Sequence, residues 1–217
     1  MLDSLLIKNF RSLEHLEVPK LGRVNLMVGK NNSGKSTVLE ALRIYAGNAQ
    51  RPLLEAIAQE HDERYRTRES ETMDEGTLMP FQDFFRDRSF PQDGTAIEIG
   101  SATGASELLR ISYEMMEESL GEPELLEGET INRIRRRYVP LDEADMFPGE
   151  LQPVILVRKG ERLFPPIKLL NGARRTSAYD LSSVPCSLIP TQFISMDELG
   201  DEWDRIVFTE QEAVVKR

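Results

Sequence analysis

The sequence predicts an α/β fold organised around a phosphate-binding loop, and three observations carry that expectation. The run GKNNSGKST at residues 29–37 has the form G-x-x-x-x-G-K-[ST], with Gly29, Gly34, Lys35 and Ser36 at the fixed positions. The β-rich run RVNLMV, Arg23 to Val28, leads straight into it, and STVLEALRIYAG follows with helical spacing. Further along, residues 95–194 are dominated by short β-rich runs separated by turn residues.

Residues 1–47 read in order as strand, strand, strand, loop and helix. SLLIKNF (Ser4 to Phe10) and LEHLEV (Leu13 to Val18) alternate as half-buried strands, and Arg23 to Val28 is the buried strand entering the loop. A triphosphate concentrates negative charge on a small surface. A loop can wrap it only where successive backbone N–H groups turn inward, which needs positions tolerant of unusual φ/ψ. Gly29 and Gly34 supply that tolerance, and Asn31 and Asn32 are the next most permissive type. Ser33 and Thr37 complete the loop; Lys35 would reach the β- and γ-phosphates and Ser36 would ligate Mg²⁺. The helix opening near Lys35 adds its positive end. Val38, Leu39, Leu42 and Tyr45 form its apolar face, and Gly47 is the stop signal.

Residues 48–94 form a charged insert centred on QEHDERYRTRESETMDEG, expected to be a solvated helix followed by a mobile loop. In the β-rich part, TAIEIGSA and ELLRISYEMM are strands joined by a turn at Gly104. PVILVRKGERLFPPI (153–167) is a hairpin turning at Lys159-Gly160, and CSLIPTQFI holds a buried strand near Cys186 to Pro190. Residues 195–217 return to helix. Ser195 and Glu198 have capping-box spacing, followed by Leu199, Trp203 and Ile206 on one face. A second box, Thr209 and Glu212, opens a helix that reaches only Arg217, so the domain is expected to be incomplete at its C-terminus.

Composition narrows the function classes. The chain has 217 residues, a net charge of −10 and one cysteine, Cys186. An internal disulfide is excluded, and a reducing cytoplasm fits. No apolar run reaches membrane-spanning length, and MLDSLLIKNF does not have the form of a signal peptide. The acidic balance argues against a generally basic nucleic-acid surface. Two local basic clusters remain: Arg133, Arg135, Arg136 and Arg137 beside Tyr138, and Arg174 with Arg175. Phosphate contact with a nucleic acid is one reading of them. Pairing with the acidic stretches at 114–129 and 142–150 is the favoured one.

The block LLIKNFRSLEHLEV…GRVNLMVGKNNSGKSTVLEALR resembles the start of ATPases of the RecF/SMC/OLD-nuclease branch of the ABC superfamily. There a first strand ends in N-F-[RK] and the loop reads G-x-N-x-x-G-K-S; the matching residues are Asn9, Phe10, Arg11 and Gly29 to Ser36. The match covers roughly the first 45 residues, and LGDEWDRIVFTEQEAVV is similar to a helical insert of the bacterial OLD-like AAA-type group. The resemblance implies an ABC-type head with an antiparallel β-subdomain beside a parallel core sheet. It implies ATP and Mg²⁺ as cofactors, with Arg11 joining Gly29–Thr37 at the nucleotide. It also implies a homodimer around ATP or a partner ATPase or nuclease subunit, with nucleic acid as a further partner and no membrane.

That family also uses a Q-loop glutamine, an L-S-x-G signature, a strand ending in Asp-Glu and a late histidine. Gln192 is the Q-loop candidate, with an ordinary loop glutamine as the alternative. Leu181–Val184 lacks the signature glycine, and His15 and His61 come too early and are expected at the surface. FISMDEL imitates the catalytic strand with Asp197 and Glu198, but the cap at Ser195 and the proline at Pro190 favour a helix start. The chain is therefore expected to bind Mg-ATP and, by itself, to hydrolyse it poorly. A nucleotide-binding regulatory module and a small P-loop kinase are the alternatives.

Overall fold

A computed structural model of the chain describes residues 2–61, 80–104, 107–126 and 129–169, together with Val184, Cys186, Leu188 and Gly200. The chain divides into two compact units, Met1–Ser183 and Val184–Arg217, and the architecture that follows is that of the first. The expectations for residues 62–79, Arg174, Arg175, Gln192, Ser195, Asp197, Glu198 and the Thr209–Glu212 cap fall outside the described residues. Cys186 and Leu188 are exposed and belong to no strand. At these two positions the expected buried strand is absent, since nothing described pairs with them.

Among the described residues one mixed-length antiparallel sheet dominates. Strand β1 (Leu5–Phe10) pairs with β2 (Leu13–Val18) on one edge and β3 (Ile97–Gly100) on the other. β3 pairs with β4 (Leu109–Leu126), and β4 pairs with β5 (Glu129–Val139) and β6 (Gln152–Lys159). The short β7 (Arg162–Leu163) and β8 (Ile167–Lys168) both pair with β6. The strand order is β2-β1-β3-β4-β6-β7. Register builds the core. Ile7 faces Ile99, Ile99 faces Leu109, and Ile97 faces Ile111, which faces Val157. These branched side chains pack as cross-strand neighbours on the helix-covered face.

Two helices cover that face. α1 (Lys35–Ala46) buries Val38, Ala41, Ile44 and Tyr45, and α2 (Arg51–Glu60) buries Leu54, Ile57 and Ala58. The apolar face of α1 is rotated from the one expected: Leu39 is 47% exposed and Leu42 only partly buried. Arg43 binds Glu60 with a two-pronged contact of 2.7 and 2.9 Å, tying the helices together. The bond from Arg43 holds the Glu60 carboxyl below its ordinary value. So the expected charged insert begins with a helix that is core on one side.

The end of that insert is also core. A 3-10 turn at Pro80–Phe84 delivers Phe81, Phe84 and Phe85, all buried, beneath β1. Phe10 stacks on Phe84 at 6.3 Å, and the Arg11 N–H donates to the Phe84 carbonyl at 2.9 Å. Phe10 reaches this cluster because Asn9 sits at φ 54. The left-handed residue breaks the alternation that buries Leu5 and Ile7 and turns the next side chain inward. Asn9 itself donates to the Ala96 carbonyl at 3.0 Å.

Three other expectations change. Arg23–Val28 forms no strand: Val24, Leu26 and Val28 are 91, 88 and 79% exposed. A strand exists only with a ladder partner, and none lies beside it among the described residues. Instead Asn25 closes a local loop, accepting from the Gly22 N–H and donating to the Gly22 carbonyl, both at 2.9 Å. The hairpin of β6 and β7 turns at Gly160-Glu161, one residue later than expected, with Gly160 at φ 56. The basic run at 133–137 lies in β5, a strand the composition disguised.

Phe84→Ala should lower unfolding free energy by about 3–5 kcal/mol, the cost of emptying a buried aromatic site. Urea denaturation should show a lower midpoint with an unchanged slope. A loss within about 0.5 kcal/mol would contradict the placement of this segment in the core.

Candidate functional site

The site is built where the loop meets α1. Gly34 is the N-cap at φ 84, ψ 9, and no side chain caps the helix. The first-turn N–H groups at Lys35, Ser36 and Thr37 therefore have no intrahelical acceptor and open onto the loop. The first turn carries no acidic residue to offset the positive end of the helix dipole. Gly34 is also sterically required, because a Cβ there would lie 3.2 Å from Leu13 Cδ2 in a backbone conformation that L-residues avoid. The contact shows what supports the loop: the turn between β1 and β2, through Ser12 and Leu13.

Lys35 folds back across the loop. Its Nζ donates to the Gly29 carbonyl at 3.0 Å and the Lys30 carbonyl at 2.6 Å, with Ser33 Oγ at 3.5 Å. Asn32 occupies the left-handed region at φ 62, the conformation for which its residue type was singled out. Asn31, Asn32, Ser33 and Ser36 are exposed, and Lys35 and Thr37 are half-buried. The loop thus gathers Gly29, Asn31, Asn32, Ser33, Gly34, Lys35, Ser36 and Thr37 into one cationic, N–H-rich rim. It can hold an anionic group by backbone donors and one ammonium. Among the described residues no group of three or more His, Cys, Asp or Glu side chains assembles that could hold a metal ion.

Arg11 is placed differently from the rest of the expected site. Its Nε lies 2.9 Å from Glu40 Oε2, and its guanidinium sits over the rings of Phe84 and Phe10, at 5.0 and 5.9 Å. Both side chains of the pair are about nine-tenths buried. Glu40 lies on α1 one turn past the loop, and its other oxygen is 2.8 Å from His61 Nε2 at the end of α2. One carboxylate therefore joins the β1–β2 turn, the loop helix and α2. Sequence reasoning missed Glu40. Only its position between Val38 and Ala41, on the helix side that is buried, could have flagged it. His15 and His61 are both exposed as expected; His15 lies 3.6 Å from Glu17, and His61 also reaches Glu40.

A family model described as an AAA ATPase domain matches residues 1–115. An uncharacterized protein of Methanocaldococcus jannaschii is 44% identical over 45 residues, which is 21% of this chain and 20% of the relative. An "ATP/GTP phosphatase" of Helicobacter pylori is 36% identical over 52 residues, 24% of this chain and 14% of that protein. An "OLD nuclease" of Thermus scotoductus is 44% identical over 48 residues, 22% of this chain and 9% of that protein. The matched stretch is thus a fifth or less of the length of each relative. No solved structure matches.

Glu40→Ala should destabilise the protein by about 3–5 kcal/mol, because it removes a buried carboxylate that touches both the Arg11 guanidinium and His61. Replacing both partners together, Arg11→Met with Glu40→Met, should recover most of that loss. Thermal or urea unfolding of the single and double variants checks it; a double variant as unstable as Glu40→Ala would contradict the pairing.

Proposed function

This chain belongs to that AAA ATPase domain family, as an OLD-like ATPase N-terminal region, and we propose that it binds Mg-ATP through Gly29–Thr37. The observation that carries the reading is the conjunction at the loop: free first-turn N–H groups, an uncompensated helix end and the ammonium of Lys35 inside the curve. A triphosphate would replace the Gly29 and Lys30 carbonyls as the partner of Lys35. That exchange frees the loop backbone to turn its N–H groups onto the phosphate oxygens.

Ser36, exposed at the start of α1, fits a Mg²⁺ ligand by its hydroxyl and its place beside the phosphate groups. Held there, Mg²⁺ would supply positive charge against the phosphates. Arg11 acts here through position: its bond to Glu40 fixes the β1–β2 turn against the loop helix, and through Leu13 that turn supports Gly34. Gln192 remains the Q-loop candidate.

The exposed run at Val24, Leu26, Met27 and Val28 supports the finer fold. Val24, Leu26 and Val28 share one side of a strand-like alternation, the pattern of a strand with at least one face to cover. We read the run as a strand of the parallel core sheet that the resemblance implies. The names of the two relatives, an ATP/GTP phosphatase and a nuclease, favour nucleotide hydrolysis beside a nuclease; a DNA-related or defence process, with a second head as a further partner, is the proposed setting. A P-loop kinase gains nothing from either name. Among the described residues no helix is long and apolar enough to cross a membrane, and the cytoplasm is the proposed location.

Lys35→Ala should weaken Mg-ATP binding at least tenfold, roughly 1.4 kcal/mol, while leaving the circular dichroism spectrum intact. Titration calorimetry reads the difference. Equal affinity for both proteins would remove the loop from nucleotide binding.

A further inference from the structure

His61 reaches Glu40 from an anchored base. It ends α2, where its N–H donates to the Ala58 carbonyl at 3.3 Å. Ile57 and Ala58, just before it, are buried in the core, and Glu60 is held by Arg43 of α1. Glu60 also feels the imidazole, but its hydrogen bonds go to Arg43. The imidazole places Nε2 2.8 Å from Glu40 Oε1. A carboxylate only accepts, so Nε2 carries the hydrogen.

The two oxygens of Glu40 are held differently. Oε2 lies 2.9 Å from Arg11 Nε, but the two atoms are out of line for a hydrogen bond. Attraction between charges sets a distance there and little direction, whereas a hydrogen bond is directional. Among the described residues, the hydrogen bond that aims the Glu40 carboxylate is the one from His61. The side chain that does the aiming is 40% exposed, and the carboxylate it aims is 8% exposed.

From Glu40 the contacts run to the loop by two routes. Along α1, Glu40 stands one turn after Ser36 on the same side of the helix. Across the ion pair, Arg11 directly precedes Ser12 and Leu13, the residues that lie against Gly34. A binding loop keeps its geometry only where the residues behind it are themselves fixed by packing and hydrogen bonds.

We propose that His61 is a positioning residue for the nucleotide. By aiming the Glu40 carboxylate at Arg11, it keeps the β1–β2 turn and Gly34 where the N–H groups of the loop converge. This role rests on the reading of Gly29–Thr37 as the nucleotide loop. A hydrogen bond that only stabilised the fold would change the melting temperature and leave the affinity of the folded chain alone.

Calorimetric titration of the full chain with Mg-ATP, well below the melting temperature of each variant, tests the role. His61→Ala should raise the Kd about three- to tenfold. His61→Gln should bind as the parent does, because its amide nitrogen sits close to the place of Nε2 and donates. His61→Asn, whose shorter amide stops short of Glu40, should bind as weakly as His61→Ala, so the Gln and Asn chains decide the matter even where the Ala chain folds poorly. His15→Ala, at an exposed histidine outside the cluster, should leave the affinity unchanged. Parental affinity in His61→Ala and His61→Asn, with binding lost in Lys35→Ala, would overturn the role of His61 and leave the nucleotide loop standing. A lower melting temperature at unchanged Kd, or a His61→Gln chain as weak as His61→Asn, would overturn it too. A parent that does not bind Mg-ATP, or a Lys35→Ala chain that binds as the parent does, would remove the nucleotide loop and the role of His61 with it.

Discussion

The structure around the loop depends on one buried ion pair. Arg11 and Glu40 connect a strand turn to the helix that follows the Gly29–Thr37 loop. A guanidinium buried against Phe10 and Phe84 is tolerable only with a carboxylate beside it. The same carboxylate reaches His61, so the ends of β1, α1 and α2 are held to one point. With α1 fixed in this way, its first turn can remain uncapped and available. Gly34 completes the arrangement, because only a residue without a side chain fits over Leu13 at a positive φ. The helix spends most of its burial on anchoring, through Val38, Ala41, Ile44 and Tyr45, and leaves its N-terminal end for ligand.

Much of this was legible in the sequence. The loop, β1, β2 and the α1 segment follow from spacing, since glycines, an amphipathic run and alternating strands are local signals. What was not legible is tertiary. Glu40 looked like an ordinary helix acid, and its meaning arises only when Arg11 and His61 arrive from elsewhere in the chain. The aromatic end of the insert was hidden by the charge density before it, although Phe81, Phe84 and Phe85 are among its few apolar residues. β5 was read as a basic cluster because four arginines in five positions mask an edge strand's alternation. Lateral pairing with Glu118 is what makes it a strand.

The Arg23–Val28 run teaches the converse. Its β propensity and apolar character are strong, yet it forms no strand and stays exposed, because propensity does not supply a ladder partner. Asn25 closes its local loop in place of sheet bonds. The antiparallel sheet and the loop are therefore separable parts: the first is complete in cross-strand packing, and the second rests on the first through Ser12, Leu13 and Arg11. Such a division suits a domain in which nucleotide chemistry is assembled beside a stable β-layer.

The most direct measurement of nucleotide binding at this loop is backbone amide NMR during titration with Mg-ADP. Amides of Gly34, Lys35, Ser36 and Thr37 should move most, because their N–H groups are the ones left open at the start of α1. Ile7, Ile99 and Val157, inside the sheet, should stay still. Shifts confined to other surfaces, with the Gly34–Thr37 amides unchanged at saturation, would contradict a nucleotide site at this loop.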